Sequence, residues 1–240
     1  MLFLTALEQR ILIVSIVQSW PILYNSYFTY KLLKRCKNKV TISLSSFFLT
    51  NITALVVLLI SIFTANTPLS YPFYIIGYYL FFFSYSFLNI FSGLVLKVDK
   101  NVSQKLIIFL IILYSFTCCY IFLVGMIMSG IQYGLSTGWV PVFNLNFAII
   151  SWIYIILFYF IPQIMITFKL RRSFQSSPIK TRINLMVISI IMGFFVVIFT
   201  ILYNFWIDNI FYRSIHTFIN LPLGTIGAYL LYRSVGKELT

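Results

Sequence analysis

Three features of this sequence predict an all-α, polytopic membrane fold: seven long apolar stretches, a scarcity of charge, and basic residues grouped between alternate stretches. The chain of 240 residues is 61% hydrophobic and 9% charged, against roughly 25% charged in a soluble domain, and its mean hydropathy is +0.99. Fifteen of its 17 Lys and Arg residues lie in four clusters, at 31–39, 97–105, 169–182 and 233–237; only Arg10 and Arg213 fall elsewhere. Basic residues concentrate in cytoplasmic segments. Clusters after the first, third, fifth and seventh stretches therefore predict a seven-transmembrane bundle of the cell membrane, with the N-terminus outside and the C-terminus cytoplasmic.

A bilayer core takes about 20 residues of helix. The expected spans run 11–30, 40–65, 71–96, 106–128, 147–168, 183–207 and 215–232, all within a single domain, 1–240. The first carries Gln18, Pro21, Asn25 and Thr29 on one stripe. It lacks a small-residue cleavage site, so an uncleaved signal anchor is expected. Asn66, Thr67 and Pro68 make a tight outer turn between the second and third spans, and the third holds Ser84, Ser86, Asn89 and Ser92. Cys118 and Cys119 sit inside the fourth span as small hydrophobes, and Cys36 lies in the first basic loop. The longest outer loop, 129–146, contains Gly130, Gly134, Gly138, Trp139 and Pro141. Trp139, Trp152 and Trp206 are expected at the membrane interface, where aromatic anchors collect. The fifth span carries Pro162, Gln163 and Thr167, the sixth Ser189, Thr200 and Asn204, and the seventh His216, Asn220, Pro222, Gly224 and Gly227.

The same composition excludes several functions. All four acids, Glu8, Asp99, Asp208 and Glu238, fall at or beyond helix ends, and no lysine lies mid-span. Ionisable groups at mid-membrane mark ion and proton pathways, so a coupled pump is not expected, nor is a retinal Schiff base. A lone histidine builds no zinc site and no phosphate-loop or zinc-protease motif is present. No enzyme, metal or cofactor is expected. The net charge of +13 is confined to loops, which points to anionic lipid headgroups and orientation rather than to nucleic acid.

Candidate functional residues follow from what is polar inside. Asn25, Asn89, Gln163, Asn204, His216 and Asn220 are ligand or pathway candidates. Asp208 is a further one, expected to pair with Arg213 across an outer cup. Pro21, Pro162 and Pro222 are hinge candidates, because each removes a backbone donor from a helix. Arg171, Arg172, Lys180 and Arg182 form a basic cytosolic platform, a candidate docking site for a cytosolic protein partner.

Asn25, the basic loop after it and the run Phe47-Phe48-Leu49-Thr50-Asn51 resemble the first two helices of rhodopsin-like receptors, and Asn220-Leu221-Pro222 approximates their seventh-helix motif. The chain departs from that family at Val56, where an acid is expected, and at Leu96–Asp99, where its third-helix motif should stand. Pro162-Gln163, followed by Lys169, Arg171 and Arg172, is similar to the motif of PQ-loop and sugar-facilitator proteins, and Pro21 holds the matching place in the first helix with Ile22 instead of glutamine. The segments 138–143 and 233–237 resemble those of uncharacterised archaeal seven-helix membrane proteins with receptor-like topology. The archaeal resemblance carries no function with it; the absence of mid-membrane ions, the outer cup and the basic cytosolic platform point to a receptor- or sensor-like protein that binds a small ligand or lipid and signals through its basic loops. An uncoupled facilitator of a small polar solute and a scaffold subunit of a larger complex are the alternatives. Oligomeric state is not legible.

Overall fold

The computed structural model describes residues 5–35, 37–96, 102–174 and 176–236. Cys36, Lys97, Asp99, Lys100, Lys237 and Glu238, which the sequence placed in its clusters, motifs or candidates, lie outside the described residues.

The architecture is all-α. Among the described residues seven helices follow one another: α1 (Ala6–Arg35), α2 (Lys39–Phe63), α3 (Ser70–Leu96), α4 (Gln104–Ile127), α5 (Leu145–Ser173), α6 (Ser177–Phe205) and α7 (Ile210–Leu231). The first six are long and apolar enough to cross a membrane by length and composition. In α7, Arg213, His216 and Asn220 dilute the apolar residues. Between α4 and α5, the two-residue strands β1 (Ile131–Gln132) and β2 (Val142–Phe143) pair antiparallel, with Ile131 opposite Phe143.

Local side chains fix where these helices begin. At α1, Thr5 and Glu8 cap reciprocally: Thr5 N donates to Glu8 Oε2 at 2.7 Å and Glu8 N to Thr5 Oγ1 at 3.3 Å. Asn38, Asn144 and Asn209 each accept, at 2.8 Å, from the backbone N–H three residues on, and so start α2, α5 and α7. The Asn209 cap explains why α7 begins at Ile210 and not near 215. Arg213 therefore lies inside that helix rather than in a turn before it.

α3 is the central helix: half of its most apolar stretch is buried, against 11% in α1 and in α4. Small and hydroxyl side chains bring α2 close to it. Ser43 Oγ donates to Phe87 O at 3.0 Å, Ser70 Oγ to Ser61 O at 2.6 Å, and Asn51 Nδ2 to Ser84 Oγ at 3.0 Å. A Cβ on Gly77 would stand 2.6 Å from Leu58 Cγ, so this crossing needs the glycine, as close crossings between apolar helices commonly do.

One aromatic core cluster joins α3, α4, α5 and the β-hairpin through Tyr78, Phe82, Phe122, Phe143 and Phe147. A second, around Phe28, Leu44, Phe48, Phe91 and Met186, joins α1, α2, α3 and α6. Phe147 fits against two glycines: a Cβ on Gly125 would lie 2.5 Å from its ring, and one on Gly130 2.7 Å from its Cβ.

α5 departs from regular geometry. Residues Ile155–Phe160 form a π turn immediately before Pro162. Proline has no N–H for the carbonyl four residues earlier and collides with it, and a π turn opens that space. The orphaned acceptor is Phe158 O, and Asn89 Nδ2 of α3 donates to it at 2.9 Å. A freed carbonyl among apolar helices has to be re-satisfied by a neighbour, and this is how it is done. The π spacing also brings residues five apart onto one face, so the Tyr154 and Tyr159 hydroxyls meet at 3.0 Å.

Candidate functional site: two chambers along the bundle

One chamber collects the start of α1 (Arg10), the end of α2 (Ser61, Ile62), the start of α3 (Tyr74), the end of α6 (Tyr203, Asn204) and the start of α7 (His216). Consecutive helices therefore run in opposite directions, and this chamber marks the N-terminal end of the bundle. It encloses about 290 Å³. Deeper, a second chamber of about 100 Å³ is walled by α1, α2, α3, α5, α6 and α7. Tyr24, Asn25, Asn51, Phe81, Val196 and Gly224 line both and form the neck between them. At the neck the Tyr24 hydroxyl would stand 3.3 Å from a Cβ on Gly224.

The β-hairpin loop roofs the larger chamber. Trp139 holds φ +59°, directly after Gly138 at +59°, a left-handed conformation that bulky residues avoid. It is 8% exposed and lines the chamber, so Trp139 is a chamber wall. Backbone strain of this kind persists only where packing over-determines it. Here the packing is an aromatic column. Trp139 meets Tyr133 edge-on at 5.7 Å, Tyr133 stacks on Tyr74 at 4.5 Å, and Tyr74 lies 5.0 Å from Tyr78.

Polar groups in the upper wall form a connected set. Asn204 Nδ2 donates to the Tyr78 hydroxyl. Asn220 Nδ2 reaches Thr200 Oγ1 at 3.0 Å, Val196 O at 3.3 Å and His216 Nε2 at 2.7 Å. Arg213 donates to the Tyr203 hydroxyl at 3.2 Å with its guanidinium 4.7 Å from the ring centroid, and Tyr203 in turn packs on His216 at 4.5 Å. Arg10 faces the same tyrosines, Tyr74, Tyr78 and Tyr203. Arg10 Nε, Gln18 Oε1 and Asn220 Oδ1 are buried without a partner.

The deeper chamber is built differently. Asn89 Nδ2 also donates to the Tyr114 hydroxyl at 3.1 Å, Gln163 Nε2 donates to Ser92 Oγ, and Ser189 Oγ donates to Gly227 O at 2.7 Å. Of its lining atoms only Gln163 Oε1 is buried without a partner among the described residues.

The sequence candidates thus separate. Asn204, His216 and Asn220 line the larger chamber, Asn89 and Gln163 the deeper one, and Asn25 both. Asp208 lines neither: it is exposed, and among the described residues it forms no ion pair with Arg213, whose guanidinium turns inward to Tyr203 and Ile207 O. Burial against a phenol ring has taken the arginine out of the acid's reach. Pro21 lines the larger chamber, Pro162 follows the π turn, and Pro222 lies inside α7. Arg171, Arg172 and Lys180 are exposed where α5 ends and α6 begins, and Arg182 is half-buried. Arg10 and the tyrosines of α3 and the loop were not among the candidates. Arg10 had a signal, as one of two basic residues outside the clusters; the tyrosines, among 17, had none.

Among the described residues no group of three or more His, Cys, Asp or Glu stands together. Cys118 is buried and Cys119 exposed. Compared with models of known protein families, with curated proteins and with solved structures, the chain matches none.

Proposed function

We propose that this chain is a seven-helix protein of the cell membrane, N-terminus outside, that binds a small ligand in the larger chamber and acts as a receptor or sensor. In this reading α7 crosses with the other six helices, the roofed end faces outward, and the exposed Arg171, Arg172 and Lys180 face a cytosolic protein partner and the inner lipid surface. The observation that carries it is the chamber of about 290 Å³ with buried, unpartnered polar atoms in its wall. Buried polar groups are ordinarily hydrogen-bonded, so a wall that leaves them unspent suits a polar ligand. Binding shifts the inner ends of the helices only if the ligand prefers one arrangement of them, and the π turn before Pro162 is the place where α5 has two hydrogen-bonding patterns to choose between.

The test is purification into lipid nanodiscs, followed by mass spectrometry of small molecules released on denaturation. A Val17→Phe variant, which fills the chamber from α1, is expected to lose the released species while unfolding at the same temperature or higher. Equal recovery from both proteins would remove the chamber from consideration.

A second reading, an uncoupled facilitator of a small polar solute, is favoured by one observation: the two chambers share a neck along the bundle axis. Solute flux into liposomes that collapses in Gly224→Leu, a neck-closing variant, would establish it over the receptor.

A further inference from the structure

We propose that the larger chamber selects an anion: a carboxylate or phosphate group carried on a small aromatic or otherwise apolar body. This deepens the ligand-binding reading above and rests on it.

The argument starts from charge. Arg10 lines the chamber, and Arg213 stands behind Tyr203, donating to its hydroxyl at 3.2 Å. Among the described residues no Asp or Glu lines the chamber. Glu8 is exposed and held by Thr5, through its N–H at 2.7 Å and its hydroxyl at 2.9 Å, and residues two apart on a helix face different ways. Asp208 is exposed and outside the wall. His216 Nε2 stands 2.7 Å from Asn220 Nδ2, and neither charge state of its ring brings a negative group to the wall. The wall therefore has a cation, a second cation one ring away, and no acid to balance either. Arg10 is half-buried and its guanidinium faces the Tyr203 hydroxyl, but its Nε is buried with no partner, and a charge drawn partly out of water gains from a counter-charge. An anionic group bound here supplies both missing elements, a hydrogen-bond acceptor and a compensating charge. The planar guanidinium suits carboxylate and phosphate alike.

The rest of the wall sets the body of the ligand. Trp139, Tyr133 and Tyr74 offer aromatic surface on one side, and Val14, Val17 and Leu55 aliphatic surface on the other. Asn220 presents its Oδ1 unpartnered, since its nitrogen is committed to Val196 O and Thr200. A ligand hydroxyl or N–H fits there. The volume falls at the lower edge of pockets for drug-sized ligands, roughly 300–1,000 Å³, which favours a single-ring molecule over a two-chain lipid. The anion itself has two possible sources, a soluble metabolite or a lipid headgroup reaching in from the bilayer.

Nanodiscs of phosphatidylcholine alone separate these. Benzoate, phenylacetate and 4-hydroxybenzoate are titrated beside their uncharged amides and benzylamine, with tryptophan fluorescence and melting temperature as readouts. The acids are expected to bind at least about tenfold more tightly than the amides, the value of one charged hydrogen bond, and benzylamine not at all. Arg10→Gln is expected to erase the acid–amide difference and Arg10→Lys to retain most of it. The wild-type comparison stands even if a variant fails to fold. In discs of phosphatidylcholine and phosphatidylglycerol in equal parts, undiminished acid binding supports a soluble anion, and competition by the lipid supports a headgroup in the same site. Acids and amides binding equally, both blocked by Val17→Phe, would overturn anion selectivity and leave the chamber reading intact. No binding by any probe would overturn the anion site, and loss of the Val17→Phe difference in released molecules would separately overturn the chamber.

Discussion

The two chambers use the same kinds of side chain for opposite ends. In the deeper one, Asn89, Gln163 and Ser189 give their donors to a stray carbonyl, a serine and a glycine carbonyl, and the space that remains is about 100 Å³. In the larger one, Arg10, Gln18 and Asn220 keep buried atoms unspent around almost three times the volume, about 290 Å³. An asparagine inside a membrane bundle is therefore neither structural nor functional by type. What distinguishes the two is whether its hydrogen-bonding capacity is used up by the fold. The deeper chamber is glue with a gap in it, and the larger one is a wall waiting for a partner.

Substitutions that force the two regions apart test that contrast. The largest loss is expected at the crossing that holds α2 to α3, where Leu58 also lines the larger chamber. Gly77→Ala places a Cβ 2.6 Å from Leu58 Cγ and should cost about 1–3 kcal/mol of stability, read as a lower melting temperature in detergent. Next comes Asn89→Leu, which leaves the Phe158 carbonyl and the Tyr114 hydroxyl without their donor. About 1–2 kcal/mol should be lost, with faster hydrogen exchange around Pro162 and ligand affinity little changed. Gln18→Leu is the matching change in the larger chamber. Its Oε1 has no partner to lose, so stability should hold within about 0.5 kcal/mol while the profile of bound molecules changes. If Gln18→Leu destabilises as much as Asn89→Leu, the distinction between spent and unspent groups fails. The smallest effect is expected from Asp208→Ala, exposed and unpaired with Arg213, with stability within about 0.5 kcal/mol and binding unchanged. A Tyr203→Phe variant, which takes the hydroxyl from Arg213, should by contrast weaken the binding of acids more than that of amides.

Much of the fold was legible because membrane helices announce themselves by length and composition. Each expected span overlaps one observed helix, and the edges differ where a cap decides them, as Asn209 does for α7. The π turn was not legible as such, though Pro162 marked its place. A proline says that a carbonyl is freed, but whether the helix kinks or widens depends on what can reach that carbonyl, and Asn89 is 69 residues away in sequence. The candidate site was half legible. Polar residues inside apolar spans are visible as exceptions, which brought out Asn25, Asn204, His216 and Asn220. Tyr74 and Tyr133 were hidden in a chain where one residue in five is aromatic, and their stacking, with Trp139 edge-on to Tyr133, is a property of a loop folding back on α3. The Asp208 expectation failed for a related reason. Nearness along the chain suggested an ion pair, yet at a helix end the arginine side chain reaches farther in than out.

The sequence by itself determined the all-α class, the order of the helices and the gathering of cations at helix ends, because hydrophobicity summed over a helix length and the cost of burying charge are local quantities. Tertiary structure decided which polar atoms are satisfied, that the loop between α4 and α5 covers a chamber, and that Arg10 and Arg213 converge on Tyr203. Hydrogen bonds between helices saturate, and which donors remain after they have formed is settled only when every wall is in place.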